Sequence, residues 1–165
     1  MVVSSFSDYS KSNPDVIKIS SSKKTNLKKF TQNGQIQIFQ SLYRGSYPSI
    51  IRDCLRNAAL GRKVLLVQFM KGGVKQGIAN AVKLCGNLTW VRSSHCFDQY
   101  HSEEIENNKD LKKSIIESTC ELWNFCKQEL LSGENDQIIL DEIFLAVEMN
   151  IIDKDDLIST LENRF

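Results

Sequence analysis

The sequence has little net charge and no long apolar run. Acidic and basic residues nearly balance, and the formal net charge is +1, so composition gives no reason to expect a polyanionic partner such as nucleic acid. No segment approaches the roughly 18 apolar residues that a membrane-spanning helix needs. The first residues also lack the hydrophobic core of a signal peptide. We therefore expect a protein without nucleic-acid or membrane partners, and a cytoplasmic location by default.

Residues that form disulfides or bind zinc are also few. The five cysteines are odd in number and form no Cys-x-x-Cys pair, which argues against a disulfide framework. We expect most of them to be small buried hydrophobes. Both histidines lie in the irregular stretch 92–108, whose ligand-type side chains match no standard zinc template, so a polar loop is the simpler interpretation than a metal site. These side chains are His95, Cys96, Asp98, His101, Glu103 and Glu104.

What is present suits one globular α/β domain preceded by an arm. A chain of 165 residues, 41% hydrophobic and 25% charged, can bury a sizeable core. Residues 1–33 are rich in Ser, Lys and Asn and predict a flexible N-terminal arm, and residues 34–165 predict the domain. The arm carries the pairs Lys23-Lys24 and Lys28-Lys29. The sequence leaves open whether these lysines meet phosphate, the acidic C-terminal third, or only solvent.

The segment Gln35–Gly73 organises the domain as strand, loop, helix and strand. Apolar residues from Ile36 to Phe39 predict the first strand, and Pro48 suits the first turn of a helix that Gly61 ends. The branched run from Val64 to Val67 is typical of a strand covered on both faces. Such a pair of parallel strands has a right-handed crossover.

Downstream patterns extend this unit to a mostly parallel sheet with helices on both faces. They predict a short helix from Val74 to Cys85, a turn at Gly86-Asn87, a strand at Leu88–Val91, a long helix from Asp110 to Leu131 and a strand at Ile138–Leu140. We expect the four strands to lie side by side. Asp153 and Asp156 suit the cap of the last helix.

Two segments at the carboxyl edge of this sheet carry candidate chemistry. The loop SLYRGSYPS precedes the first helix, where phosphates commonly bind, but it has one glycine, Gly45, and no lysine. Asp141 and Glu142 follow the last strand. Such a pair can hold Mg²⁺ and orient a proton acceptor, or it can simply cap a helix.

At these residues the chain resembles the P-loop type ATP:corrinoid adenosyltransferases, also called cob(I)alamin adenosyltransferases. The resemblance rests on VQFMKG at Val67–Gly72, on DQIILDEI at Asp136–Ile143 and on the final Asn163-Arg164. It implies a P-loop NTPase-like three-layer sandwich and transfer of the 5′-deoxyadenosyl group of ATP to the cobalt of a reduced corrinoid. It also implies ATP, Mg²⁺ and corrinoid as ligands, and a homodimer in which the N-terminal segment can cover a neighbouring active site.

Carried over residue by residue, the resemblance predicts three sets of site residues. Phe97 would border the corrin, and Asp141 and Glu142 would hold the metal. The nucleotide would contact Arg44, Gly45, Ser46, Tyr47, Gln68 and Lys71.

The chain also departs from the family pattern. Against the family's GKGKTT loop, Arg44 replaces a lysine, Ser46 replaces the phosphate-binding lysine and Tyr47 replaces the first threonine. Gln99 falls at a corrin-bordering Trp, and the chain stops at Phe165, where the family continues with a further strand and helix. Two functions therefore stay open: the transferase, or a non-catalytic relative that binds a nucleotide, a small anion or a protein partner in the same cleft.

Overall fold

The computed structural model describes residues 2–4, 34–40, 48–71, 77–95 and 107–164. Within these ranges the chain forms six strands, four α-helices and one 3₁₀ turn at Ile78–Asn80. The strands are β1 Val2–Ser4, β2 Gln35–Gln37, β3 Val64–Gln68, β4 Val82–Leu84, β5 Leu88–Arg92 and β6 Gln137–Asp141. The helices are α1 Pro48–Ala59, α2 Lys109–Ser132, α3 Ile143–Glu148 and α4 Lys154–Glu162.

All six strands belong to one sheet with the order β2-β1-β6-β3-β5-β4. The central strand β3 pairs in parallel with both β5 and β6. Strand β1 is antiparallel to β6, and β4 is antiparallel to β5. Every residue of β3 is buried, as its unbroken apolar run predicts for a strand covered on both faces.

Alternate residues of the central strands enter two separate cores, one on each face. Leu65, Val67 and Leu140 pack with α2, α3 and α4, whereas Leu66 and Ile139 pack against Cys54 and Ala58 of α1. This alternation follows from the two-residue period of a strand. The result is a three-layer α/β sandwich of the P-loop NTPase-like type, which confirms the predicted fold class.

The predicted arrangement of four adjacent strands is wrong at its first member. Strand β2 lies at the sheet edge and is separated from β6 by β1, and Ile36 and Phe39 are 38% and 39% exposed. Val2–Ser4, from the expected arm, occupies the hydrogen-bonding edge of β6 that β2 would have used. The remainder of that arm lies outside the described residues.

The helix predicted from Val74 to Cys85 is also wrong wherever it is described. The chain instead forms the 3₁₀ turn and then β4, which pairs with β5 through a tight hairpin. Cys85 and Gly86 both have positive φ, 51° and 74°, a backbone suited to closing hairpins. The spacing of Ile78, Val82 and Cys85 imitates a helix, but strand pairing decides the conformation.

The long helix α2 agrees with its prediction and has clear ends. Asn108 caps its N-terminus by accepting a hydrogen bond from the Leu111 amide at 3.0 Å, and Gly133 ends it in the left-handed region with φ 66°. Its apolar stripe includes the buried residues Leu122, Trp123 and Cys126. None of the helices in the described ranges is long and apolar enough to span a membrane.

The cysteines of the described ranges are not alike in exposure. Cys54 and Cys126 are buried, Cys120 is partly buried and Cys85 is exposed. Burial raises the pKa of the Cys54 thiol to about 12 and also raises the pKa of the Cys126 thiol. Cys54 and Cys126 are therefore neutral core residues, as predicted.

Candidate functional site

Three neighbouring strands end together at one edge of the sheet. Gln68 at the end of β3 is in register with Asp141 at the end of β6 and with Arg92 at the end of β5. Because the three strands are parallel, their carboxyl ends lie at the same edge, which is where open α/β sheets bind ligands. The register thus brings two of the predicted site residues, Gln68 and Asp141, into contact.

A chain of hydrogen bonds links these strand ends. The Trp90 indole Nε1 donates to Gln68 Oε1 at 2.9 Å, and Gln68 Nε2 donates to Asp141 Oδ2 at 2.8 Å. An indole N–H can only donate, so it fixes the amide oxygen of Gln68 toward Trp90 and the amide NH₂ toward the carboxylate. Gln68 is only 4% exposed. This buried amide therefore sets the position of the Asp141 carboxylate.

Lys71 places a positive charge beside the acidic pair. Its Nζ lies 2.6 Å from Asp141 Oδ2 and 3.8 Å from Glu142 Oε1. Phe69 and Met70, which precede it, are completely buried, and the Phe69 amide donates to the Asp141 carbonyl at 3.1 Å. The lysine is thus anchored beside the acidic pair by the core under it.

Glu142 turns the chain sharply from strand into helix. Its backbone is left-handed, with φ 63° and ψ 19°, and it occupies the N-cap position of α3 without a side-chain capping bond. A non-glycine residue in this region carries a conformational cost. The side chain is 11% exposed and faces Lys71. In the described structure the Glu142 carboxylate therefore belongs to the charged cluster and does not cap α3.

Two residues of this region, Trp90 and Arg92, were not predicted from the sequence to belong to the site. Trp90 holds Gln68, and the Arg92 guanidinium lies over the Trp90 ring, 4.3 Å from its centroid, a distance typical of a cation–π contact. Trp90 was counted only as a strand residue, and Arg92 as the first residue of the irregular stretch 92–108. Their two-residue spacing, which puts them on one face of β5, was the available signal.

Next to this cluster, two buried hydroxyl groups meet where the chain leaves β5 and enters the segment that holds the histidines. Ser93 Oγ lies 3.1 Å from Ser118 Oγ, and the His95 amide donates to Ser93 Oγ at 3.4 Å. No group of three or more metal-ligating side chains occurs in the described part of the chain. The other five members of the suggested ligand set lie outside it, so the interpretation as a polar loop stays a prediction.

Several predicted site residues lie outside the described ranges, namely Arg44, Gly45, Ser46, Tyr47 and Phe97. Helix α1 begins at Pro48, as expected. Arg52, one turn into that helix, is largely exposed and lies 4.0 Å from Asp53. The described part of the site is thus the acidic pair with Lys71, Gln68 and Trp90.

The model of the ATP:corrinoid adenosyltransferase family BtuR/CobO/CobP matches residues 32–165. The chain belongs to this family. The match spans every described element except β1, and it includes the strand ends that form the charged cluster. A search of curated proteins finds no match.

Proposed function

We propose that the chain is a corrinoid adenosyltransferase that transfers the 5′-deoxyadenosyl group of ATP to the cobalt of a reduced corrinoid. Co(I) attacks the ribose C5′, the C5′–O bond breaks, and triphosphate leaves. The proposal is supported by family membership and by one observation above all: Asp141 and Glu142 lie at the carboxyl end of β6, beside Gln68 and Lys71 at the end of β3. The nucleotide would lie along this edge.

The donor set of this edge fits Mg²⁺ carried by a nucleotide. Mg²⁺ is usually bound by one or two carboxylates together with substrate phosphates, and rarely by an all-protein cage. Asp141 and Glu142 provide two carboxylates. When bound, Mg²⁺ would neutralise phosphate charge, and Asp141 and Glu142 would hold it. The protein's own contribution would be to orient ATP, position the corrin and exclude water.

The basic side chain that binds phosphate in the family has no direct counterpart here, because Ser46 stands where the family has its lysine. Three basic residues, Arg44, Arg52 and Lys71, are candidates to replace it. Lys71 is the best supported, since it already lies within the acidic cluster at 2.6 Å from Asp141. The proposed nucleotide site therefore consists of Arg44, Gly45, Ser46, Tyr47, Gln68 and Lys71, with Phe97 next to the corrin.

A second function has its own support. The loss of the loop lysine favours a non-catalytic relative that binds a nucleotide, a small anion or a protein partner in the same cleft. Such a protein would keep the sheet edge but transfer no adenosyl group. Binding and turnover measured separately distinguish the two functions.

The test is calorimetry with ATP, with and without Mg²⁺, followed by chromatography of a reaction with ATP and a chemically reduced corrinoid. The transferase predicts Mg²⁺-dependent ATP binding and an adenosylated corrinoid. Binding without product supports the non-catalytic relative. If Mg·ATP does not bind, the transferase proposal fails.

The loop is tested by restoring its lysine. Ser46→Lys should strengthen ATP binding by a few kcal/mol at most, because it adds one charge-assisted hydrogen bond to phosphate. Calorimetry with ATP measures the gain, and Ser159→Lys on the exposed face of α4 is a control for added charge. Unchanged affinity in Ser46→Lys means that this loop is no longer a phosphate site.

A further inference from the structure

We propose that Lys71 and a divalent metal ion exchange places at Asp141, so that the metal binds only together with a nucleotide whose phosphates take over the lysine. This inference rests on the proposed function and adds a rule of binding to the same site. It starts from two ion pairs among the described residues, in which the Lys71 ammonium lies 2.6 Å from the Asp141 carboxylate and 3.8 Å from that of Glu142.

The ammonium and a metal ion compete for the same place. Asp141 Oδ2 already accepts hydrogen bonds from Lys71 Nζ and from Gln68 Nε2. Mg²⁺ approaches a carboxylate oxygen to about 2.0–2.1 Å, so an ion on either oxygen of this carboxylate would lie close to the ammonium and be repelled by it. A free divalent ion must therefore displace Lys71 before Asp141 can bind it.

When a metal ion displaces Lys71 from Asp141, the ammonium loses its carboxylate partner and favours binding of another anion. The lysine follows two fully buried residues, Phe69 and Met70, which hold the chain on its N-terminal side at the sheet edge. Its side chain is 27% exposed, so it is not sealed off from an incoming phosphate. A metal–nucleotide complex supplies a cation for Asp141 and an anion for Lys71 together, whereas a free metal ion supplies only the first.

The exchange predicts effects of opposite sign on two ligands in the variant Lys71→Met. Without the competing ammonium, Mn²⁺ alone should bind roughly tenfold more tightly than in the wild type, a change within the usual range of coupling between sites. The Mn·ATP complex should bind roughly tenfold more weakly, because a charge-assisted hydrogen bond to phosphate is lost. Lys71→Arg keeps the charge and should keep Mn²⁺ binding weak.

Electron paramagnetic resonance measures Mn²⁺ binding to the wild type and the variants. Calorimetry measures Mn·ATP binding to the same proteins. Lys127→Met is the matched control, since Lys127 forms an ion pair of similar exposure with Asp156 at 3.0 Å. It should change neither affinity. Thermal melts establish that each variant is folded.

Two results would overturn the exchange. If Lys71→Met binds Mn²⁺ no more tightly than the wild type, the lysine does not compete with metal, whatever the fate of the proposed function. If the variant gains affinity for both Mn²⁺ and Mn·ATP, Lys71 is only a fixed counterion. If the wild type does not bind Mn·ATP, the proposed function is wrong, and so is the claim that phosphates take over Lys71. Calorimetry on the wild type alone detects this outcome.

Discussion

At the scale of single residues, Asp141 is where the two candidate functions differ most. Its carboxylate accepts hydrogen bonds from Gln68 and Lys71 and contributes one of the two carboxylates of the proposed metal site. A structural ion pair of this kind, partly exposed, contributes little to stability. A metal ligand, in contrast, is indispensable for binding the metal–nucleotide complex.

Asp141→Asn should therefore abolish Mg²⁺-dependent ATP binding while changing the free energy of unfolding by at most about 1 kcal/mol. Calorimetry with ATP, with and without Mg²⁺, and a thermal melt measure the two effects. Asp153→Asn is a suitable control, because Asp153 caps α4 by accepting from the Asp156 amide and asparagine caps equally well. Retained Mg·ATP binding in Asp141→Asn would show that the acidic pair has only a structural role.

A second residue-scale prediction concerns acid stability. Asp156, predicted together with Asp153 as the cap of the last helix, donates its amide N–H to that cap. Its carboxylate accepts a hydrogen bond from the Trp123 indole at 2.7 Å and another from Lys127 at 3.0 Å. The Trp123 hydrogen bond, followed by the contribution of Lys127, lowers the pKa of Asp156 below its ordinary value of 3.8. A lowered pKa in the folded state stabilises the protein above the unfolded pKa, and this contribution is lost as the pH falls through the folded value.

Trp123→Phe should destabilise the protein by about 1 kcal/mol near neutral pH, the net value of a hydrogen bond. It should also raise the pKa of Asp156 toward its ordinary value, so the variant loses less stability than the wild type below about pH 4. Urea unfolding across this pH range measures both effects. Equal acid dependence in the two proteins would mean that the indole does not stabilise the ionised carboxylate.

At the scale of elements, local pattern and resemblance together predicted most of the central sheet and the long helix. β3, β5, β6 and α2 combine periodic apolar residues with clear ends, and their predicted bounds differ from the observed ones by only a few residues. The helix predicted from Val74 to Cys85 was wrong because so few apolar residues fit both the helical and the strand period. Pairing with β5 then selects the strand. β1 could not be predicted, since three residues carry no period and their partner β6 is distant in sequence.

The hairpin between β4 and β5 gives a test at this scale. Gly86 has φ 74°, and a Cβ placed there would meet no atom within 4 Å. Gly86→Ala should therefore cost about 1–2 kcal/mol through backbone strain alone, without a steric clash. Gly86→Asn should cost less, because asparagine tolerates the left-handed region. Urea unfolding ranks the two variants, and an equal cost for both would exclude backbone strain as the cause.

At the scale of the whole molecule, the site depends on register between distant strands. The resemblance supplied Gln68, Lys71, Asp141 and Glu142, but not their mutual contacts, which arise from the pairing of β3 with β6. Trp90 was missed for the same reason, since its bond to Gln68 exists only once β5 lies beside β3. Sequence reasoning named Lys71, Asp141 and Glu142, and the pairing of the strands explains what orients them.

The same sheet separates the two cores, which predicts how the molecule unfolds. Ile138 and Ile139 are adjacent on β6, 5% and 3% exposed, but Ile138 enters the core with α2, α3 and α4 and Ile139 enters the core with α1. If residues 34–165 are one domain, loss of one methyl group on either face should weaken one cooperative unit. Ile138→Val and Ile139→Val should then each lower the free energy of unfolding by about 1 kcal/mol.

Urea unfolding, monitored by tryptophan fluorescence and by circular dichroism, tests whether the two cores unfold together. The fluorescence reports on both cores, because Trp90 packs on the α1 side and Trp123 on the α2 side. The two signals should show one transition with one midpoint, which both variants shift alike with an unchanged slope. The two isoleucines are matched in type and burial, so each is the control for the other. Separate transitions, with each variant shifting only one of them, would show that the layers unfold independently and that the sheet does not couple them.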